Sequence, residues 1–418
     1  MTDQSVAWRP ETATSYADDL QVELISSALA GRTIDVVVAG SIGAIESVRF
    51  IRALRRLGAQ VVPWLTDGGA QFVTPMALAW AAGREVRRDF SGVATHLAAA
   101  DACIIAPASA SLLARLASGL TDTPTSALIT SYLGCRRPVL ALPNMHDSLA
   151  AAPAVQRNLE TLKTMGLRLL PARLEEGKHK FPPPATLADQ AAHALNQERV
   201  ASRGVLITMG STRGYIDDVR YISNYSSGAL GSAMAEELYR LGYTTHVVSG
   251  ACPIRPNAYS FFVEALTNDA MQDAAQAALD AGAEAAILAA SVLDFIPVER
   301  VAGKISSSSS DVMTVTMAKA TKIIASLQPS SKVKVGFKLE AALSMERALK
   351  LAADQIKVYG LSLVVLNDLA KVDQQQHEAI LVQPGTITPE VITGKRAVAQ
   401  AVAVHVDARL MNKFQPGL

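Results

Sequence analysis

Short runs of β-branched and aliphatic residues recur along the chain, separated by longer stretches in which apolar positions return every three or four residues. From Thr33 the runs are IDVVVAG, QVVPWLT, ACIIAPA and RPVLALP, with helical spacing from Ile45 to Leu57 between the first two. Continuous apolar strands alternating with helical stretches predict parallel strands joined by crossover helices, and hence a doubly wound sheet. Ahead of them, ADDLQVELISSALA at 17–30 has helical spacing and predicts a leading helix before Gly31, within an N-terminal extension over 1–32.

The pattern then breaks. The segment LPARLEEGKHKFPPPATLADQAAHALNQERVASRG holds a proline cluster, a short helix and a polar stretch, which places a linker at 196–203. Beyond it the alternation restarts with GVLITMG, a helix from Ala229 to Leu241, THVVSGA, FFVEAL, EAAILAA, KVKVGFKL, a helix from Met345 to Val358, and LSLVVLN. The prediction is an α/β protein of two doubly wound domains, a flavodoxin-like one over 33–195 and a Rossmann-like one over 204–418. The serine run at 306–310 can build no core and predicts a mobile loop.

Composition agrees with this division. A chain of 418 residues exceeds what one core supports, and half its residues are apolar with only 18% charged. The 39 basic side chains nearly cancel the 38 acidic ones, so no global field exists to hold a nucleic-acid backbone or an anionic membrane. Any anion must be bound locally. Cys103, Cys135 and Cys252 are widely spaced and odd in number, against a disulfide framework or a zinc site; no metal ligands are predicted. The acidic, polar N-terminus does not look like a signal peptide, and no apolar run approaches a membrane span, so a cytoplasmic protein is expected.

Open parallel sheets bind ligands beyond the carboxyl ends of their strands. In the second half, GVLITMG runs into GSTRGYIDDVRYISNYSSGALG, which sets Ser226, Ser227 and Gly228 just before a helix N-terminus suited to an anion. Such a triplet is also an ordinary helix cap. Arg220 and Asn224 stand four apart beside it, a guanidinium fork and an amide able to hold phosphate or charge on an activated acyl group.

IDDVRYISNYSSGALG, with ITMGSTRG before it and ILAASVLDFIP, VGFKLEA, VVLND and GKRAVAQAV after it, resembles the phosphopantothenate-cysteine ligase family. That resemblance implies a ligase that uses a nucleoside triphosphate, CTP in bacterial members, with Mg2+, to turn a phosphopantothenate-like carboxylate into an acyl-nucleotidylate. A cysteine-like amine then attacks it. It implies that Asn224 stabilises the acyl-nucleotidylate, Arg220 serves the second step and Lys304 neutralises developing phosphate charge. Ser226, Ser227, Gly228, Ala289, Ala290, Asp294 and Phe337 would bind the nucleotide. Against the family's Lys-Ile-Lys-Lys, this chain has Lys304, Ile305, Ser306 and Ser307, and an expected Pro-Asp pair is replaced by Thr321 and Lys322.

The first half, through VVVAGSIGAIES, LTDGGAQFVTP, IIAPASASLLARLASGLTD and PAVQRNLETLKTMG, is similar to the flavin-dependent cysteine decarboxylase domain that precedes this ligase in bacterial bifunctional enzymes. Gly40, Ser41 and Gly43 open a strand-to-helix turn able to cradle a phosphate. Thr66, Phe72, Ala106, Pro107 and Ser109 lie at later strand ends, where the resemblance places FMN. The catalytic positions depart from the pattern. His96 is the one candidate for the family's histidine and stands nearer Asp101 than expected. Pro143, Asn144, Met145 and His146 put histidine where the family's Pro-x-Met-Asn motif has asparagine, and LPARLEEGKHKFPPP has no flap cysteine. For both histidines a surface or capping role competes with catalysis.

Three classes follow: a ligase with an altered or merely flavin-holding first domain; a fully active decarboxylase and ligase of coenzyme A synthesis; and a nicotinamide-dependent oxidoreductase. The last is disfavoured because GSTRGYID lacks the G-x-G-x-x-G fingerprint. The resemblance also implies a homo-oligomer.

Overall fold

The computed structural model describes residues 20–306, 312–341, 343–372 and 377–412. Most of the serine run falls outside these residues. Contacts divide the chain into two compact units between Ala191 and Ala192, inside the helix Pro184–Asn196 and just ahead of the loop 196–203.

In the first unit, β1 (Thr33–Val38), β2 (Gln60–Leu65), β3 (Ala102–Ala108), β4 (Val139–Pro143) and β5 (Leu167–Leu169) form a wholly parallel sheet in the order β2-β1-β3-β4-β5. This is the flavodoxin-like order. All seven residues of β3 are buried, as a strand covered on both faces requires. Polar N-caps start three of the crossover helices: Thr74 before Pro75–Ala82, Ser109 before Ala110–Ala117 and Thr123 before Pro124–Gly134. A short antiparallel hairpin, β6 (Arg173–Glu175) with β7 (Lys178–Lys180), follows the sheet.

The leading helix is not formed in its described part. Residues 20–32 run as irregular chain and turns. Arg55 donates to the carbonyl of Leu20 at 2.7 Å, while the amides of Ile25 and Leu29 donate to Arg56 and Leu57 at 2.8 Å each. Helical spacing here buries Leu29 without a helix, because Ser26 turns its hydroxyl to the amide of Ala28 and competes with the helical ladder. The helix foreseen from Ile45 begins as a 3-10 turn, Ile42–Glu46, and becomes α-helical over Ser47–Arg56.

The second unit carries an eight-stranded sheet. In chain order its strands and the small pairs between them are β8 (Gly204–Met209), the hairpin β9 (Arg213–Tyr215) and β10 (Tyr221–Ser223), β11 (Thr244–Ser249), β12 (Phe261–Glu264) and β13 (Ala283–Leu288). There follow the antiparallel pair β14 (Phe295–Pro297) and β15 (Met317–Lys319), then β16 (Val333–Glu340), β17 (Leu363–Val372), β18 (His377–Val382) and β19 (Glu390–Thr393). The sheet order is β12-β11-β8-β13-β16-β17-β18-β19, parallel as far as β17 and antiparallel beyond it. The antiparallel edge departs from the wholly parallel expectation. Helices Ala229–Arg240 and Lys395–Asn412 cover one face, with Met234, Leu238, Val402 and Val406 in the core. No helix among the described residues is long and apolar enough to cross a membrane.

Candidate functional site

In each unit the strand order reverses beside the first strand, between β1 and β3 and between β8 and β13. Ligands of doubly wound sheets bind at such reversals.

In the first unit the turn Gly40-Ser41 leaves β1 next to the end of β3, where the amide of Ala39 donates to Pro107 at 3.2 Å and Ser47 Oγ donates to Ala106 at 3.0 Å. Gly40 is a packing requirement: a Cβ there would meet the Gly68 backbone at 2.9 Å. Thr66 Oγ1 accepts from the amide of Gly69 at 3.0 Å and shapes the loop after β2, which leaves Phe72 partly exposed. Ser109 caps its helix through Leu112 at 3.4 Å.

Asn144, which sequence reasoning did not select, is buried at the centre of this cluster. Its Oδ1 accepts from Ser41 Oγ and, at 3.2 Å, from the amide of Gly43. The turn read as a phosphate cradle is therefore braced from within, and a Cβ on Gly43 would lie 2.6 Å from that oxygen. His146 takes the capping role: its Nδ1 accepts from the amide of Ser148 at 3.2 Å, at the start of the short helix Asp147–Ala150. His96 packs edge-on against Phe90, ring centroids 5.1 Å apart, with its Nδ1 buried and without a hydrogen-bond partner among the described residues. The segment without a flap cysteine is the β6–β7 hairpin, whose His179 Nδ1 lies 3.0 Å from Asp147 Oδ1. That hydrogen bond holds the Asp147 carboxyl below the usual carboxylate range. Ile42 and Phe72, on the loops that follow β1 and β2, leave their apolar side chains exposed.

In the second unit the loops after β8 and β13 interlock. The amides of Ala289 and Ala290 donate to Thr208, and that of Ser291 donates to Gly210 at 2.7 Å. They open onto a cavity of about 410 Å³ lined by Thr208, Leu288–Asp294, Thr321–Ile324, Phe337, Asn367 and His377 among others. Ala289, Ala290, Asp294 and Phe337 thus share one cavity. Asp294 is ion-paired with Lys322, also in the lining. No cluster of three metal-ligating side chains is present among the described residues.

Gly228 precedes the helix Ala229–Arg240 with φ 76°, and any Cβ there would lie 2.6 Å from the Ile254 carbonyl, so glycine is dictated twice over. Ser227 accepts weakly from Ala229 at 3.4 Å, and Ser226 is half-buried beside it. Asn224 donates to the carbonyl of Val292 at 3.3 Å, which attaches the β10 loop to the cavity wall.

Arg220 and Lys304 meet through an acidic clamp the sequence did not reveal. Asp217, fully buried, accepts from the amides of Val219, Arg220 and Ile305 at 2.8, 2.6 and 3.1 Å and from the Arg220 guanidinium at 2.7 Å. Burial works to raise its pKa; the backbone donors and Arg220 more than reverse this and hold the carboxyl at about 2. Asp218 accepts from the amide of Gly303 and from Arg300, both at 2.8 Å. Lys304, exposed, thus has its backbone fixed on both sides, beside Arg220.

Residues 200–410 match the model of the DNA/pantothenate metabolism flavoprotein C-terminal domain, and residues 24–196 match the Flavoprotein model. The coenzyme A biosynthesis bifunctional protein CoaBC of Thermococcus kodakarensis is 31% identical over 366 residues, 85% of this chain and 90% of its own. Its namesake in Methanocaldococcus jannaschii is 29% identical over 83% of this chain and 86% of its own. The crystal structure of the DNA/pantothenate metabolism flavoprotein from Streptococcus pneumoniae covers 49% of this chain and 99% of its own at 23% identity, with a TM-score of 0.44. By the model that spans half its length and the relative it matches almost end to end, this chain belongs to the family of the coenzyme A biosynthesis bifunctional protein CoaBC.

Proposed function

We propose that the second unit joins a phosphopantothenate-like acid to a cysteine-like amine through an acyl-nucleotidylate, using CTP or another nucleoside triphosphate. The carrying observation is the convergence of Ala289, Ala290, Asp294 and Phe337 on one cavity at the strand-order reversal, with Asn224 bonded to its wall. A substrate carboxylate oxygen attacks the α-phosphorus and pyrophosphate leaves; the amine then attacks the acyl carbon, releasing nucleoside monophosphate and one proton. In this reading Asn224 holds the acyl-nucleotidylate, Arg220 serves the amine step, and Lys304 meets charge on the departing phosphate. Ser226, Ser227 and Gly228 receive phosphate oxygens at the helix N-terminus. Any Mg2+ travels with the triphosphate.

The first unit, in this proposal, binds FMN through Gly40, Ser41, Gly43, Thr66, Phe72, Ala106, Pro107 and Ser109 but does not decarboxylate. Bound FMN supplies an oxidising ring. What the chain lacks is the acid that would return a proton, because the β6–β7 hairpin has no cysteine and His146 is engaged as a cap. Full bifunctionality is the second reading, favoured by family models that match both halves. A soluble cytoplasmic homo-oligomer acting on small molecules suits either.

Incubation of the protein with each nucleoside triphosphate, phosphopantothenate and cysteine tests the ligase directly. Pyrophosphate release with a new amide by mass spectrometry is expected; neither product with any nucleotide overturns the reading.

A further inference from the structure

Part of the cavity wall in the second unit is a single helical turn, Ile323–Ser326, set between β15 and β16. Thr321 and Lys322 at its start and Ile323 and Ile324 within it line the cavity. One turn is a poor helix on its own, because nucleation fixes several backbone torsions for each hydrogen bond gained. This one also lacks a side-chain cap. Its N-cap is Lys322, whose ammonium has no acceptor to offer and pairs with Asp294 instead. Its ends are closed by backbone bonds from Ala325 to Lys322 at 3.0 Å and from Leu327 to Ile323 at 3.3 Å.

Against this turn packs Lys334 of β16, which is 1% exposed. Its Nζ donates to the carbonyls of Ile324 at 3.1 Å and Leu327 at 3.0 Å, and among the described residues no carboxylate pairs with it. An ammonium taken out of water is unfavourable, and burial pushes the Lys334 pKa down. Val333 and Val335 on either side are buried aliphatics, so the strand itself does not call for a lysine. What the lysine supplies is donors. The two carbonyls belong to the end of the turn, where a cation meets the negative end of the peptide dipoles. Gly336, two residues on and therefore on the same face of β16, leaves room for the turn: a Cβ there would lie 3.2 Å from Ile324 Cδ1.

We propose that Lys334 is a positioning residue of this cavity: its buried ammonium holds the turn by its last carbonyls and so keeps Lys322 opposite Asp294, in the wall that meets the nucleotide. The nucleotide rests on the ligase reading; the anchoring does not. Lys334 touches no ligand and acts through the turn. Without its donors the turn fluctuates, and a ligand must order it on binding, which weakens affinity rather than chemistry.

The test compares the full wild-type chain with Lys334→Met, which keeps a long stem and removes the donors, and Lys334→Gln, whose amide donates from a shorter stem. Val402→Ala, a core change in the helix Lys395–Asn412 outside the cavity lining, is the control for a merely structural loss. Hydrogen exchange of the ligand-free proteins over 322–328, read by mass spectrometry, should quicken about tenfold in Lys334→Met and stay at the wild-type rate in Val402→Ala. In pyrophosphate release, Lys334→Met should raise KM for CTP about tenfold with kcat little changed, and Val402→Ala should alter neither. Lys334→Gln should fall between wild type and Lys334→Met in both measurements. Lys322→Ala should raise KM by a smaller factor on the Lys334→Met background than alone, because residues acting as one unit are not additive. Wild-type exchange over 322–328 in Lys334→Met overturns the inference whatever the activity. Faster exchange with an unchanged KM, or an equal rise in KM in Val402→Ala, also overturns it and leaves the ligase reading standing. If wild type releases pyrophosphate from no nucleoside triphosphate, the ligase reading falls and takes the nucleotide with it, while exchange still decides whether Lys334 anchors the turn. Should methionine prevent folding, wild-type exchange and KM in Lys334→Gln overturn the assignment, and a graded change in both supports it.

Discussion

At the reversal of the first sheet, polar side chains are occupied by the protein itself: Asn144 braces Ser41 and Gly43, His146 caps a helix, Ser109 caps another, and Thr66 holds its own loop. At the reversal of the second, the strand ends open onto a cavity of about 410 Å³ whose wall carries the Asp294–Lys322 ion pair. Two sheets of related winding thus treat the same topological position differently. Self-satisfied polar groups favour a rigid holder, whereas an open cavity with mixed polar and apolar walls leaves room for a ligand.

The sharpest way to break this contrast is to supply phosphopantothenoylcysteine anaerobically with FMN and measure carbon dioxide and phosphopantetheine. FMN binding without turnover is expected, and His146→Asn alone should not rescue it. Robust turnover would promote the fully bifunctional reading. Next in size, Lys304→Gln should slow pyrophosphate release by about 10²–10³, the typical loss of a preorganised charge at a developing anion; near-wild-type release removes Lys304 from the site.

Asn144→Ala should loosen the Ser41–Gly43 turn and weaken FMN binding about tenfold, a loss near 1.4 kcal/mol, in a flavin-fluorescence titration. Unchanged affinity would mean the brace is irrelevant to the cofactor. For Asp217 the folded pKa of about 2 lies below its ordinary 3.8, so its stabilisation is present above pH 3.8 and disappears as pH falls through 2. Asp217→Asn should melt lower than wild type at pH 7, and the two curves should converge toward pH 2. Parallel curves would show that the carboxylate charge does not matter. Smallest of all, His146→Ala should remove one cap, about 0.5–1 kcal/mol, with FMN affinity unchanged. A tenfold loss of FMN affinity would make His146 a ligand contact.

The parallel strands were legible because strands buried on both faces read as unbroken apolar runs, and ACIIAPA became β3 almost letter for letter. β18 and β19 were not legible: HEAILV and EVIT are short and mixed, and their pairing depends on β17 already being in place. Ala289, Ala290 and Asp294 follow the end of β13 and Phe337 lies within β16; the family resemblance, rather than the apolar pattern, assigned them to one pocket. The Asp217–Asp218 clamp could not be read from either, since its partners Gly303 and Ile305 lie 85 and 88 residues along the chain. Nor could Asn144, whose oxygen reaches back 103 residues to Ser41. Lys334 belongs to no motif, and only the fold shows that it is buried. The leading helix failed because spacing reports which side is buried, not which backbone partners are available.

The clamp around Lys304 also changes when disorder is lost. Fixing a residue's backbone costs about 1–2 kcal/mol, and a loop that had to order Gly303, Lys304 and Ile305 at each catalytic cycle would lose that entropy on the way to every transition state. Here Asp217 and Asp218 hold the amides on either side of Lys304 in the folded chain. The entropy is surrendered once, during folding, leaving mainly the lysine's own side-chain torsions to settle when substrate arrives.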